Sequence, residues 1–141
     1  MSICFFNENV KFDLKEKRKY KNWINQAITN ENKIPGDINF IFTSDNFLLE
    51  INKKHLSHNY FTDIITFNYC SENLVSGDIY ISLDTVKNNS HLFNVTYYEE
   101  LSRVIIHGIL HLLGFNDSND KEKVEMREKE DYYLAILKKL S

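Results

Sequence analysis

The feature that most limits what this chain can fold into is the stretch TYYEELSRVIIHGILHLLG at residues 96–114. Apolar residues recur there at helical spacing, Thr96 followed by Glu99 reads as a capping box, and Gly114 is placed to end the helix. His107 and His111 stand four residues apart inside it, so a helix stacks both imidazoles on one face. Burying two imidazoles among residues such as Val104, Ile105, Ile106 and Ile109 is unfavourable unless their polar atoms are satisfied. A shared metal ion would satisfy both; the alternative is a pair of core-edge histidines bonded to backbone or carboxylates.

After Gly114 the segment FND brings Asp117 back, six residues beyond His111. His107, His111 and Asp117 then offer two nitrogens and one carboxylate oxygen, with a fourth position left for water. That is the plan of a catalytic zinc site. Asp120 competes with Asp117 for the third place. A zinc peptidase of the His-Glu-x-x-His type needs a glutamate beside the first histidine as general base, and here that residue is Gly108. Glu100, nearly two turns before His107, is either a group orienting an imidazole or a solvent-facing carboxylate.

Residues 3–6 (ICFF) are a candidate first strand, and Asp13 is a candidate cap for a basic helix over residues 14–30. That helix carries Leu14, Trp23, Ile24, Ala27 and Ile28 on its apolar side. Pro35-Gly36 marks a turn, and Ile38, Phe40 and Phe42 alternate as in a strand. Ser44 or Asp45 caps a short helix through FLLEINKKHL, residues 62–70 read as a strand, 72–77 as a loop and 77–82 as another strand. Residues 84–89 suit a helix that ends within the polar segment NNSH at 88–91. Asn119 with Glu122 caps a final helix that buries some combination of Val124, Met126, Tyr133, Ile136, Leu137 and Leu140. This pattern predicts one α+β domain over residues 1–141, a central four-stranded mixed sheet packed by helices, with the metal-binding helix near the C-terminus; strand order is not legible.

Composition narrows the class further. At 43% apolar and 26% charged, with no apolar run long enough to span a bilayer, the chain reads as a globular protein with no membrane role. Two cysteines, Cys4 and Cys70, make no disulfide framework, and no secretory leader is legible, so a cytoplasmic location is expected. A net charge of −3 argues against a general nucleic-acid binder. The densest basic run, KEKRKYK at residues 15–21, is either an RNA contact or a solvated helix face.

At the histidine helix the sequence closely resembles the YbeY family of bacterial metal-dependent endoribonucleases. The family motif H-G-x-L-H-L-x-G-Y-D-H appears as H-G-I-L-H-L-L-G-F-N-D from His107 to Asp117. The likeness continues through Asn52, Thr62-Asp63-Ile64, Phe67, GDIYIS from Gly77 to Ser82, Met126 and Glu130. Asp117 stands where the family carries its third histidine, and Leu56 where many members carry an arginine. The resemblance implies one Zn²⁺ per chain held by His107, His111 and Asp117, which would also be the catalytic centre. It further implies single-strand-specific RNA cleavage in 16S rRNA 3′-end maturation and ribosome quality control, with the RNA precursor and the small ribosomal subunit as partners and no DNA. The cation replacing the arginine is sought among Lys53, Lys54, His55 and His58, and base-stacking groups among Tyr60, Phe61 and Phe67. The acidic stretch 120–131 is expected to face away from RNA, or toward a basic partner. Two other readings stay open: a metallohydrolase of another substrate, peptides included, and a non-catalytic, metal-stabilised assembly factor.

Overall fold

The computed structural model describes residues 2–56 and 62–140. Four strands form one mixed sheet: β1 (Ile3–Asn7), β2 (Ile34–Thr43), β3 (Ile64–Asn68) and β4 (Leu74–Ser82), in the spatial order β1-β2-β4-β3. β1, β2 and β4 run parallel, and β3 joins the edge antiparallel to β4. The helices are α1 (Lys17–Asn30), α2 (Asp45–Leu56), α3 (Leu83–Leu92), α4 (Tyr97–Leu112) and α5 (Asp120–Lys139). The expected α+β class and four-stranded mixed sheet are therefore what the chain adopts, with the histidine helix as α4. The side chain of Leu56, and all of His58, Tyr60 and Phe61, lie outside the described residues.

Strand alternation puts the core on one face of the sheet. Ile38, Phe40 and Phe42 of β2 and Val75, Ile79 and Ile81 of β4 are all buried there. They meet Trp23, Ile24, Ala27 and Ile28 of α1 and Ile105 and Ile109 of α4 in one cluster. The Trp23 indole N–H donates to the Tyr133 carbonyl at 2.7 Å, so the largest core side chain also ties α1 to α5. Fully burying an aliphatic or aromatic side chain of this kind contributes about 1.5–3 kcal/mol, so this face carries most of the stability. α2 packs on strands β3 and β4, with Leu48 and Asn52 buried.

Helix α4 begins and ends as its sequence dictates. Thr96 Oγ1 accepts from Glu99 N at 3.1 Å, and Glu99 Oε1 accepts from Thr96 N at 3.4 Å, closing the capping box. At the other end Phe115 N donates to Leu110 O and Gly114 N to His111 O, each at 3.0 Å, with Gly114 at φ 102°. That is a Schellman motif, and its left-handed residue is the one type that adopts the conformation without strain. Asn119 caps α5 by accepting from Glu122 N at 2.9 Å.

Four local expectations are corrected. α1 starts at Lys17, because the chain turns through a left-handed Glu16 (φ 59°) whose side chain caps nothing; Asp13 is left outside the helix, pairing with Lys17 at 3.4 Å. Pro35 and Gly36 lie inside β2, at a register shift between Pro35 and Ile38, not in a turn. A bulge tolerates proline because no ladder N–H is required there. β4 starts at Leu74, which shortens the expected 72–77 loop to a turn closed between Ser71 and Leu74. α3 runs on through the NNSH segment to Leu92, its start capped by Ser82 and its apolar anchor supplied by buried Val86. Of the proposed buried set on α5, Met126, Tyr133 and Leu137 are buried, Ile136 is partly so, and Val124 and Leu140 are exposed.

Two glycines bring α4 and the sheet together. A Cβ on Gly108 would stand 2.9 Å from Ile64 Cδ1 and from Ile79 Cγ2; one on Gly77 would stand 2.5 Å from the Phe67 carbonyl oxygen and 3.0 Å from Leu112 Cδ2. A backbone carbonyl cannot rotate away, so Gly77→Ala is expected to lower folding stability by about 1–3 kcal/mol, measured by urea unfolding with an unchanged m-value. Wild-type stability in that variant would mean the strands are not packed this closely.

Candidate metal centre

His107 and His111 project from α4, and the Gly114 turn returns Asp117 to meet them. The Nε2 atoms of the two histidines are 3.0 Å apart, and Asp117 Oδ2 lies 3.3 Å from His107 Nε2 and 3.5 Å from His111 Nε2. Donors about 2.0–2.1 Å from a tetrahedral zinc lie about 3.3–3.4 Å from one another. The triangle therefore has the dimensions of one face of a zinc tetrahedron, and these three residues form a group that could hold a metal ion. Asp120, the rival for the third place, opens α5 and does not join that group among the described residues.

The chemistry of the donors points the same way. His107 Nδ1 is 2.7 Å from Glu130 Oε2, so the proton sits on Nδ1 and the Nε2 lone pair is turned toward His111 and Asp117. Two imidazole nitrogens and a carboxylate converging at this range repel unless a proton or a cation lies between them. Burial opposes protonation of His107, but the Glu130 hydrogen bond and the charges of Glu130, Asp117 and Asp63 outweigh it and lift its pKa above the ordinary 6.5. His111 moves the other way, lowered by burial and by the neighbouring His107.

Glu130 is the functional residue whose role spacing alone left unassigned. It lies on α5, is nearly inaccessible, and also accepts from Arg103 Nη1 at 2.7 Å, while Arg103 Nη2 reaches Asp131 at 2.7 Å. A line Arg103–Glu130–His107 thus fixes the ring orientation, as second-rank partners of metal-bound histidines do. Within the acidic stretch 120–131, Glu130 turns inward to the site. The only legible signal was Glu130's place in the family pattern. Glu100 takes neither role foreseen for it. It is buried, its pKa is raised by burial and by Asp63 against the pull of Arg103 and Arg127, and no bond joins it to an imidazole among the described residues. Asp63, just ahead of β3, is close enough to feel His107, Glu130 and Asp117, and burial pushes its pKa up.

Among the described residues no hydrogen bond or ion pair brings Lys53, Lys54 or His55 to this cluster. Lys53 lies 3.9 Å from Glu50, and His55 sits edge-on to Phe67 with ring centroids 6.0 Å apart. The cations that do stand beside it are Arg103 and Arg127, the latter 3.9 Å from Glu130. Both cysteines are free thiols, and among the described residues no helix is long and apolar enough to cross a membrane.

Fold and site together define a small α+β protein with a three-donor metal centre between its last two helices. Residues 3–138 match the family model described as endoribonuclease YbeY. Proteins named endoribonuclease YbeY from Parabacteroides distasonis (46% identical, covering 97% of this chain and 96% of the relative) and Christiangramia forsetii (48%, covering 95% and 93%) are similar along nearly their whole length. A solution structure of a Thermotoga maritima protein is similar with a TM-score of 0.67 at 30% identity, covering 96% of this chain and 89% of that one. The chain belongs to the YbeY family, as a variant with Asp117 at the third donor position.

Two outcomes follow for the metal. Glu130→Gln keeps the size but removes the charge facing His107, and zinc affinity in a chelator competition should fall about 10–100-fold. Binding also requires the neutral form of His107. Because that residue's pKa is raised, affinity should be complete at alkaline pH and already be declining as pH falls toward 6.5. A decline that begins only below 6.5 would contradict the assigned geometry.

Proposed function

We propose that this protein is a zinc-dependent endoribonuclease that cuts single-stranded RNA, acting in 16S rRNA 3′-end maturation and ribosome quality control. Family membership supports the RNA-processing role, and the observation that carries the zinc assignment is the donor triangle of His107, His111 and Asp117. Zinc held there would supply Lewis-acid activation of water and of a phosphoryl oxygen. His107, His111 and Asp117 would be its ligands and so the catalytic set. Glu130 Oε2 faces His107 Nδ1 and orients the ring, and Arg103 holds the Glu130 carboxylate in place. Burial raises the pKa of Asp63, which also feels the charges of His107, Glu130 and Asp117.

The peptidase alternative loses ground on geometry as well as on sequence. Position 108 is pressed against Ile64 and Ile79 of the sheet, so a glutamate there would collide with the core instead of reaching a substrate water. With Asp in place of a third histidine, a site of this kind carries one more negative charge, which makes bound water somewhat less acidic than at a three-histidine centre.

The test is elemental analysis of the purified protein beside cleavage assays on single-stranded rRNA fragments and casein, repeated with His111→Ala and Asp117→Ala. About one zinc per chain and RNA cleavage that falls at least about a hundredfold in both variants are expected. Zinc without cleavage of either substrate would favour the assembly-factor role, and casein cleavage a different hydrolase. Equal RNA cleavage by wild type and His111→Ala would remove the proposed centre.

A further inference from the structure

A groove of about 860 Å³ opens between the start of α1, the turn ahead of α4 and the second half of α5. It is separate from the donor triangle but begins beside it. Arg103 lines the groove, and its partner Glu130 holds His107. Arg103 precedes His107 by one helical turn, roughly 6 Å along the axis, a distance that one nucleotide of an extended strand covers. The floor is firm, because the Tyr20 and Ser102 hydroxyls bond at 2.7 Å across α1 and α4. Toward the start of α4, Phe93 and Tyr98 line the groove with 56% and 42% of their surface exposed.

The charges along the walls are unequal in availability. Glu16 is held by Lys19 at 2.7 Å, Asp131 by Arg103 at 2.7 Å, and Glu99 is occupied in the capping box. Glu100 is buried and shifted toward its neutral form. Lys15 and Lys138 line the groove and make no ion pair among the described residues, and Arg127 is largely exposed. An acidic chain thus carries a channel lined by cations and by exposed aromatic faces. Phosphates neutralise such cations, and any base has a face to stack. An apolar peptide would leave the cations unmatched.

We propose that this groove carries the single-stranded RNA segment adjoining the scissile phosphate, with bases against Tyr98 and Phe93 and phosphates facing Lys15, Arg127 and Lys138. The proposal rests on the endoribonuclease reading and gives it a direction, from the metal centre along α4 toward the helix start. Of the basic run 15–21, Lys15 and Lys19 line the groove, whereas Arg18 is exposed outside it.

The experiment uses the zinc-loaded full chain and a labelled single-stranded RNA of about 12 nucleotides, with affinity followed by fluorescence anisotropy across a salt series. Removing two phosphate contacts in the double variant Lys15→Ala, Lys138→Ala should make the slope of log affinity against log salt shallower by about 1.4. Tyr98→Ala should weaken binding at least about fivefold, and KM for cleavage should rise in both. Arg18→Ala, which removes one positive charge near Lys15 but outside the groove, should leave slope and affinity at wild-type values. All the substituted side chains are exposed, and thermal melts run in parallel confirm that the variants fold. If wild type cuts the RNA while the double variant and Tyr98→Ala keep wild-type affinity and slope, the groove is no RNA path. The endoribonuclease reading then survives, and a protein partner becomes its occupant. If wild type neither binds nor cuts RNA, that reading itself has failed and the groove proposal falls with it.

Discussion

Helix α4 lies directly on strands β3 and β4 because Gly108 offers no side chain at the contact, and the rest of the molecule is arranged around that approach. Any Cβ there would meet Ile64 and Ile79 at 2.9 Å. With about 100° of turn per residue, a glycine pressed on the sheet rotates His107 and His111 roughly 60–100° away from it. They leave the apolar contact together and on the same side. Gly77 completes the fit from the strand, since it accepts Leu112 where a side chain would otherwise stand. The same approach leaves no room for a general base at position 108. A residue that packs the helix onto its sheet cannot also be a general base.

Helix α5 supplies what α4 cannot. Its core residues Met126, Tyr133 and Leu137 set its height against α1 and α4, and the Trp23–Tyr133 hydrogen bond locks that height. Only then does Glu130 reach His107 while Arg103 spans Glu130 and Asp131. A buried ion pair stabilises a fold little once desolvation is counted, yet losing one partner strands a charge. The consequence of this pair lies chiefly in orienting His107. Arg103 is also where the metal centre and the groove meet, so one side chain serves both.

What could be read from the chain was what neighbouring residues decide among themselves. The capping box at Thr96 and Glu99, the Schellman stop at Gly114 and the Asn119 cap each involve groups within a few residues, and all three form as their spacing indicates. Alternation in Ile38, Phe40 and Phe42 located a core face for the same reason. The errors also share a cause. Pro35-Gly36 carries a strong turn signal but is held in β2 by pairing with β4. The polar NNSH segment is helical because Val86 anchors α3 from one side while water takes the other. In both, contacts with distant residues overrode local preference.

The candidate centre divides along the same line. By itself the sequence determined that His107 and His111 share a helix face and that Asp117 follows a tight turn, because helical period and a left-handed glycine are local properties. It also determined the family, since ordered motifs between Asn52 and Glu130 carry the likeness and the family model matches residues 3–138. Only the tertiary structure decided the strand order, the 3.0–3.5 Å closure of the donor triangle, the pairing of Glu130 with His107 across 23 residues, and the meeting of Lys15 and Lys138 in one groove. Each of these depends on how two elements far apart in the chain are pressed together, and that is set by the summed packing of the core, which no short window of residues contains.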